Sequence, residues 1–194
     1  MKAILISIRP EWVAKILNGE KTLEIRKTFP KCDLPIDVYI YCTKEKKTNK
    51  WAKRDILCSD VHDGKPTGHY QLWLFDDGIH TILNGKVVAK FTLNTVEEIP
   101  PMYKWQKDYE KHLEENACIS QKDLFAYLDM HKPTRCGYAW HIDNLEIFNK
   151  PKRLSHFLIP SHKVQGIDKD GSEKTFTILK PLDRAPQSWC FVEL

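Results

Sequence analysis

The sequence lacks closely spaced cysteines. Its six cysteines lie far apart, and none belongs to a Cys-x-x-Cys pair. Neither a disulfide scaffold nor a zinc ribbon is indicated, because both depend on paired cysteines, and free thiols are expected. Four potential zinc ligands have a spacing that matches no compact tetrahedral set: Cys58, His62, His69 and His80. We therefore predict no metal site and no cofactor.

Long apolar runs are also missing. The apolar stretch near the N-terminus, residues 3–8, is too short for a signal sequence or a membrane span, and no cleavage-site pattern follows it. The protein is therefore expected to be cytoplasmic and to have no membrane partner. Repeats and low-complexity segments are absent as well, so 194 residues fit one domain with a substantial core.

Neither sign of charge dominates the composition. The 30 Lys and Arg residues exceed the 26 Asp and Glu residues by four, and the pI near 8.6 lies below the value of about 9 that marks a dedicated nucleic-acid domain. This excess permits an acidic partner without requiring one. One stretch is locally basic, from Lys44 to Arg54 around Trp51. Such a stretch is typical of a phosphate-binding, base-stacking surface and equally of a solvated loop, and both interpretations stay open.

The densest charge pattern is the stretch Gly-Glu-Lys-Thr-Leu-Glu-Ile-Arg at residues 19–26. It follows a helical pattern that begins near Pro10 and that Gly19 is suited to end. Its own period is two, which predicts a short strand with apolar residues on one face and Glu24 beside Arg26 on the other. We interpret this stretch as the functional site. The alternative is a solvated connection with an incidental surface ion pair.

The remaining periodicity predicts a mixed fold. Alternating residues predict strands, and helical spacing predicts two further helices, the second opened by a capping box; the strands are expected at 3–8, 36–42, 87–93 and 138–148, the helices at 102–116 and 120–128. Turn dipeptides predict a hairpin at Asp170-Gly171 and an inserted hairpin element within residues 46–85. Many strands with three helical patterns favour an α+β fold around a closed or nearly closed antiparallel sheet.

Several short segments follow one another in an order found in a known family. They are Ser7-Ile8-Arg9-Pro10 with residues 19–26, Gly85 to Phe91, Ser120 to Leu128 with Tyr127, and Gly137-Tyr138-Ala139-Trp140 with Asn149-Lys150-Pro151. Together they resemble the ASCH domains of the PUA-like superfamily, over about residues 3–45 and 84–158. The resemblance implies a PUA-like antiparallel β-barrel flanked by helices. It also implies a single domain over residues 1–194, with an insertion at 46–85 and a C-terminal extension at 159–194.

The resemblance further implies a charged cleft over residues 19–26 and a role in RNA-related binding or processing. The candidate binding residues are Arg9, Thr22, Arg26, Tyr41 and Trp189. Some ASCH proteins are amidohydrolases that act on acetylated cytidine with a lysine, a threonine and a glutamate. Lys21 matches that lysine and Glu115 matches that glutamate. Glu24 stands where the threonine is expected, so the same deacylation chemistry lacks its hydroxyl nucleophile here.

Elementary electrostatics distinguishes the roles of these charged residues. With Glu24 and Glu115 close by, Lys21 is expected to stay protonated and to bind an anion or a carbonyl group. Glu24 or Glu115 is then the better acid or base, provided that desolvation raises its pKa. Arg26 is expected to bind phosphate or carboxylate through its planar fork, or alternatively to form a purely structural ion pair with a glutamate.

Two functions follow from these assignments. The first is an RNA- or nucleotide-binding module in which Lys21 and Arg26 bind phosphate and Tyr41 or Trp189 stacks a base. The second is a hydrolase acting on a modified nucleoside, resembling an N4-acetylcytidine amidohydrolase, or a ribonuclease; its catalytic residues would be Lys21, Glu24 and Glu115. The sequence leaves the choice between them, and the oligomeric state, open.

Overall fold

A computed structural model describes residues 1–44, 56–62, 65–73, 81–130 and 136–194. Its strands are β1 (Lys2–Ile8), β2 (Leu23–Arg26), β3 (Ile36–Cys42), β4 (Ile56–His62), β5 (Lys65–Trp73), β6 (Thr81–Ile82), β7 (Val87–Leu93), β8 (Val96–Ile99), β9 (Gly137–His141), β10 (Asp143–Lys152), β11 (Leu158–Ile167), β12 (Glu173–Pro181) and β13 (Trp189–Glu193). Its α-helices are α1 (Pro10–Leu17), α2 (Lys107–Ala117) and α3 (Gln121–Leu128). This content confirms the predicted α+β class.

The largest sheet has seven strands in the order β10-β7-β3-β1-β13-β11-β12. β1 lies between β3, to which it is parallel, and β13, to which it is antiparallel. The N-terminal strand is fully buried beyond Lys2 because it has a neighbour on each side and a packed layer on each face. The C-terminal residues, which lie outside the family resemblance, therefore contribute a central strand.

A smaller sheet, in the order β2-β9-β8, continues from the large one. β7 pairs with β10 in the large sheet, and β8 pairs with β9 in the small one. After a short break, β7 is followed by β8 and β9 is followed by β10. The two paired segments therefore pass side by side from one sheet to the other. The predicted continuous strand at 138–148 is therefore interrupted at Ile142, and Asn144 adopts a left-handed conformation with φ of 49°.

The predicted antiparallel barrel is not confirmed. Across the described ranges no sheet closes on itself, since β10 and β12 form the two edges of the seven-stranded sheet. The parallel pairing of β1 with β3 also departs from an all-antiparallel arrangement. The fold is α+β, with strand pairs that pass from a large open sheet into a small one.

Helices α1 and α3 form where their local sequence predicts, whereas the helix predicted at 102–116 is divided into a 3-10 helix, Met102–Lys104, and α2. Pro10 occupies the first turn of α1, and Gly19 follows the helix with φ of 76°. Ser120 caps α3 by accepting a hydrogen bond from the Asp123 backbone amide at 3.2 Å. α2 and α3 cover one face of the small sheet through a cluster that includes Leu113 and Leu128. No described helix has both the length and the apolar character needed to cross a membrane.

The segment predicted as an insertion carries a third sheet, in the order β5-β4-β6, against α1. Asn18, just after α1, holds this sheet through two hydrogen bonds to the backbone of Tyr70, at 2.9 and 3.1 Å. Gly85 has φ of 77° in the predicted Asn-Gly turn before β7. The other predicted turn of this segment, Asp77-Gly78, falls outside the described residues, as does the basic stretch beyond Lys44.

Candidate functional site

The stretch at residues 19–26 brings three charged side chains together inside the protein. After α1, the chain turns at Gly19 and enters β2, whose two faces are both covered. Leu23 and Ile25 pack with α2 and α3, as predicted. Glu24 and Arg26 point to the opposite face, which is buried as well. The charged face of β2 is therefore not solvated, because a second layer of structure lies over it.

Glu24 joins the two cations. One carboxylate oxygen, Oε1, lies 2.9 Å from Arg26 Nη2, and the other, Oε2, lies 3.5 Å from Lys21 Nζ. The three side chains are each less than a tenth exposed. We call Lys21, Glu24 and Arg26 the buried triad. With both cations protonated, the triad carries two positive charges and one negative charge in a desolvated place, which favours a further anionic partner.

Lys21 is held at the C-terminal end of α2. Its ammonium group donates to the carbonyl oxygens of Ala117 at 2.8 Å and Leu23 at 2.6 Å. Ala117 is the last residue of α2, so its carbonyl has no partner within the helix and carries the negative end of the helix dipole. The indole ring of Trp12 lies 5.4 Å from the same ammonium group. These contacts hold the cation in a place from which water is largely excluded.

Arg26 connects β2 to the two central strands of the large sheet. Its Nη2 donates to the backbone oxygen of Ser7 at 2.8 Å, and its Nη1 donates to Ser188 Oγ at 3.3 Å. The third donor of the guanidinium, Nε, is buried and has no hydrogen-bond partner among the described residues. Trp140 lies opposite Glu24 in the pairing of β2 with β9. Its indole nitrogen is also buried and has no hydrogen-bond partner among the described residues. Two buried donors therefore face the same side of the small sheet.

The chain is similar in structure to solved proteins. A Ser-to-Ala variant of the ASCH protein from Zymomonas mobilis matches it with a TM-score of 0.53, at 14% identity, over 98% of this chain and 88% of that one. The chain has the ASCH fold. The parent ASCH protein of the same organism gives a TM-score of 0.46 at 16% identity, over 78% of this chain and 73% of that one. No protein-family model and no curated protein matches the sequence.

Within this ASCH fold, burial changes the expected chemistry of Lys21. We expected the neighbouring carboxylates to keep its ammonium group fully protonated. Burial instead lowers the pKa of Lys21, and the attraction of Glu24 opposes this shift without cancelling it. The sequence shows the nearby charges but not the loss of water around them, so this shift could not be expected from it.

Glu115 is not part of the buried triad. Its side chain is 64% exposed, and its carboxylate lies 3.7 Å from Lys111 one turn earlier on α2. Thr22 is exposed too and donates from its hydroxyl to Asn116 Oδ1 at 3.0 Å. Thr22 directly follows Lys21, and Glu115 lies two residues before Ala117, whose carbonyl accepts from Lys21, but both side chains are exposed.

The remaining predicted binding residues have different surroundings. Tyr41 is 3% exposed and packs in the core with Phe157, so its ring is not available for stacking a base. Arg9 precedes α1 with a largely exposed side chain that lies 3.8 Å from Glu11. Trp189 is half-buried, and its indole nitrogen donates to Thr28 Oγ1 at 3.2 Å. Trp189 directly follows Ser188, whose hydroxyl oxygen accepts a hydrogen bond from Arg26 of the triad.

Sequence reasoning missed four residues around the triad: Ser7, Trp12, Tyr127 and Ser188. Tyr127 is 38% exposed on α3. Burial raises its pKa, and the charges of Arg26, Glu24 and Arg9 act on it. Tyr127 belongs to a segment that carries the family resemblance, but no role was assigned to it. Nothing in the spacing of Ser188 distinguishes it, because only the folded sheets bring a residue so distant in sequence next to β2.

Other candidate sites are weaker. Among the described residues no three His, Cys, Asp or Glu side chains are arranged to hold a metal ion, and His80 lies outside those residues. A surface cavity of about 660 Å³ is lined by residues that include Lys2, Lys31 and Asp33. None of the triad residues lines it.

Proposed function

We propose that this chain is an ASCH domain protein that binds RNA or a nucleotide, and that the buried triad is its ligand site. The observation that supports this most strongly is the Nε atom of Arg26. A buried donor without a partner costs about 1–3 kcal/mol, and natural proteins rarely leave one without a reason. A phosphate or carbonyl oxygen of a ligand would accept from it and would also balance the excess positive charge of the triad.

The chemistry of the triad suits a phosphate group better than a neutral ligand. Arg26 keeps Nε as a donor for a phosphate oxygen, and Lys21 adds a second cation. Two groups at the margin of the triad would complete the site: Trp189 and Tyr127 each offer a half-exposed ring for base stacking. Arg9, being exposed, would contribute long-range attraction rather than a fixed contact. Thr22 would contribute a hydroxyl at the edge.

The main alternative gives the triad a purely structural role. The Glu24–Arg26 pair connects the small sheet to the large one through Ser7 and Ser188, so it would stabilise the fold even without a ligand. The two roles differ in what a substitution does. A structural pair affects stability alone, whereas a ligand site also affects affinity in variants that remain folded.

A second candidate function is favoured by the pKa of Lys21. Because burial lowers this pKa, Lys21 moves toward the range in which an amine can accept a proton, and Glu24 lies 3.5 Å away to exchange one. This arrangement supports a hydrolase acting on a modified nucleoside, or a ribonuclease. Glu115 would take part only by turning toward the triad from its exposed position.

Nucleotide binding can be tested by calorimetric titration of cytidine 5′-monophosphate. Arg26→Lys keeps the charge beside Glu24 but removes Nε and the planar fork. We expect it to weaken binding about tenfold or more, whereas the matched Arg153→Lys variant, at an exposed arginine, should bind as the wild type does. Thermal unfolding establishes that both variants are folded. A folded Arg26→Lys variant with unchanged affinity would rule out the site.

The hydrolase candidate has a separate test. The wild type is incubated with N4-acetylcytidine, and the release of acetate is followed by chromatography. Lys21→Met and Glu24→Gln should abolish turnover if the triad moves the proton, while Glu115→Gln should matter only if that carboxylate reaches the substrate. Absence of turnover in the wild type excludes this substrate and leaves the binding function untouched.

A further inference from the structure

Trp140 carries a second buried donor on the face of the small sheet that holds the triad. Its side chain is fully buried, and its Nε1 has no hydrogen-bond partner among the described residues. Trp140 lies directly opposite Glu24 in the pairing of β2 with β9, and opposite residues of an antiparallel pair extend to the same face. Arg26 follows two residues later in β2, so its side chain lies on this face as well.

The third buried polar atom without a partner in the described ranges has different surroundings. It is the hydroxyl oxygen of Tyr109 on α2, which packs against the cluster that contains Leu23 and Ile25 on the other face of the small sheet. Burial raises the pKa of Tyr109, and the nearby carboxylate of Glu97 raises it further. This hydroxyl has an acceptor close to it and requires no ligand.

The donors of Arg26 and Trp140 are close enough to serve one ligand group. Arg26 lies opposite Tyr138 and Trp140 lies opposite Glu24, so Arg26 and Trp140 are diagonal neighbours across the two strands. Diagonal neighbours are about 7–8 Å apart, a separation that aromatic and long side chains bridge. This spacing suits a single group with several acceptor oxygens.

The polar groups that this face offers to a ligand are donors. An indole N–H and a guanidinium can only donate. The acceptor of the triad, Glu24, already faces a cation with each oxygen, Arg26 at 2.9 Å and Lys21 at 3.5 Å. The edge of a base combines donors with acceptors, whereas a phosphate dianion presents acceptor oxygens only. A phosphate group therefore fits these donors better than a base does.

The burial of both donors decides which kind of phosphate fits. Arg26 is 7% exposed and Trp140 is not exposed at all, so a phosphate that contacts both is itself enclosed by protein. An internal phosphate of RNA continues into a nucleoside on each side, whereas a terminal phosphate continues on one side only. Trp189 is half-buried, and its ring centroid lies 6.3 Å from that of Trp140. The single attached nucleoside would leave the enclosed region beside Trp189.

We infer that the ligand of the buried triad is a terminal phosphate, on a mononucleotide or at one end of an RNA chain, and that Trp140 is a specificity-determining residue for it. Arg26 Nε and Trp140 Nε1 each donate to a phosphate oxygen, while the base stacks outside on Trp189. This inference rests on the nucleotide site proposed above and specifies which chemical group that site accepts.

The test is calorimetric titration of the wild type with a short oligouridylate in three forms: without a terminal phosphate, with a 5′-phosphate and with a 3′-phosphate. Each hydrogen bond to a charged group contributes about tenfold or more in affinity. Two such bonds should make one phosphorylated form bind about a hundredfold more tightly than the unphosphorylated form. The form that binds more tightly identifies the end of the chain that enters the site.

Trp140→Phe keeps an aromatic ring and removes the indole N–H, so it should reduce this preference about tenfold. The matched control is Trp105→Phe. It also removes an indole N–H, one that donates to the Pro100 carbonyl at 2.7 Å away from the triad, and it should keep the full preference. Thermal unfolding establishes that both variants are folded. The preference of the wild type tests the terminal phosphate without any variant.

Equal binding of the three forms would overturn the inference, and weaker binding of all three by Arg26→Lys would then show that the nucleotide site itself remains. A full preference in folded Trp140→Phe would remove Trp140 from the site. If the wild type binds neither these RNAs nor cytidine 5′-monophosphate, the proposed function fails and this inference fails with it.

Discussion

Lys21, Glu24 and Arg26 show how three charged residues can be buried together. Each would be costly to bury alone, since desolvation of an isolated charge costs several kcal/mol. Here one carboxylate faces both cations, and backbone carbonyls of Ala117, Leu23 and Ser7 accept their remaining protons. Arg26 Nε is the donor that the described protein groups leave without a partner. This exception supports a ligand in the proposed role.

The lowered pKa of Lys21 predicts how stability depends on pH. Between this lowered value and the ordinary value of 10.5, the folded protein binds fewer protons than the unfolded chain, so the free energy of unfolding rises with pH. The rise is at most about 1.4 kcal/mol per pH unit. Relative to Lys21→Met, in which Glu24 keeps Arg26 as partner, the wild type should gain stability as the pH increases. Urea unfolding of both proteins at pH 7 to 10 measures it.

A flat or falling difference between the two proteins would mean that Lys21 stays charged throughout this range. The proton-accepting role would then be lost, and the anion-binding role would remain. Lys21→Arg offers a control, because a guanidinium does not titrate in this window.

At the residue scale, the sequence predicted which three charges belong together but not how they are buried. The order of charges in residues 19–26 and the period of β2 were sufficient to place Glu24 beside Arg26. The triad contacts Ser7 in β1 and Ser188 just before the last strand, and no local pattern links either residue to β2. Glu115 was assigned by family resemblance, and the helix turns its carboxylate toward Lys111 instead.

At the scale of elements, close packing of α3 against β9 positions the end of β2. Gly137 is the first residue of β9 and pairs with Ile99, the last residue of β8. An added Cβ at Gly137 would come within 2.7 Å of the Leu128 side chain and 3.4 Å of the Arg26 backbone oxygen. Leu128 is fully buried at the end of α3. A glycine is therefore needed for α3, and with it Tyr127, to approach the triad.

This contact predicts the effect of Gly137→Ala. Overpacking a buried contact costs about 1–3 kcal/mol, and we expect the free energy of unfolding to fall by that amount. The matched control is Gly166→Ala in the β11–β12 hairpin. There the added methyl group meets the ring of Phe176, which is 38% exposed and can rotate away. Its effect should stay within about 0.5 kcal/mol, as for surface positions. Chemical denaturation compares the two, and equal effects would contradict the proposed packing of α3.

The elements themselves were largely predictable from periodicity. Alternation located β1, β3 and β7, and the Ser120 cap located the start of α3. Two features were not predictable: the break at Ile142 and the parallel pairing of β1 with β3. Both depend on long-range pairing: β9 pairs with β8 in one sheet and β10 pairs with β7 in another, and β1 pairs with β3. The local sequence pattern does not indicate which strands will pair.

At the scale of the whole molecule, the two parts of the C-terminal segment differ in importance. β13 lies beside β1 in the middle of the large sheet. Beyond Pro160, by contrast, β11 pairs only with β12 among the described strands. The sequence predicted a C-terminal extension at 159–194 as one unit. In the structure its last strand belongs to the core, and its first part projects from it.

This difference predicts the outcome of two truncations. Removing residues 189–194 takes away the antiparallel partner of β1, so we expect the cooperative unfolding transition to disappear. Replacing residues 161–178 with an Asn-Gly turn, which connects two strands tightly, should leave the transition and its midpoint nearly unchanged. Circular dichroism during urea titration distinguishes these outcomes. A stable protein without β13 would show that the extension is dispensable.

The central claim is that the buried triad receives a nucleotide, and the most direct measurement observes the Arg26 guanidinium itself. In protein labelled with ¹⁵N-arginine, the Nε–Hε resonance of Arg26 is assigned by its loss in Arg26→Lys and followed by NMR during titration with each of the four nucleoside 5′-monophosphates. We expect a saturable shift of this resonance with at least one nucleotide, because a ligand oxygen would then accept from Nε. An Arg26 resonance that stays in place with all four nucleotides would contradict it.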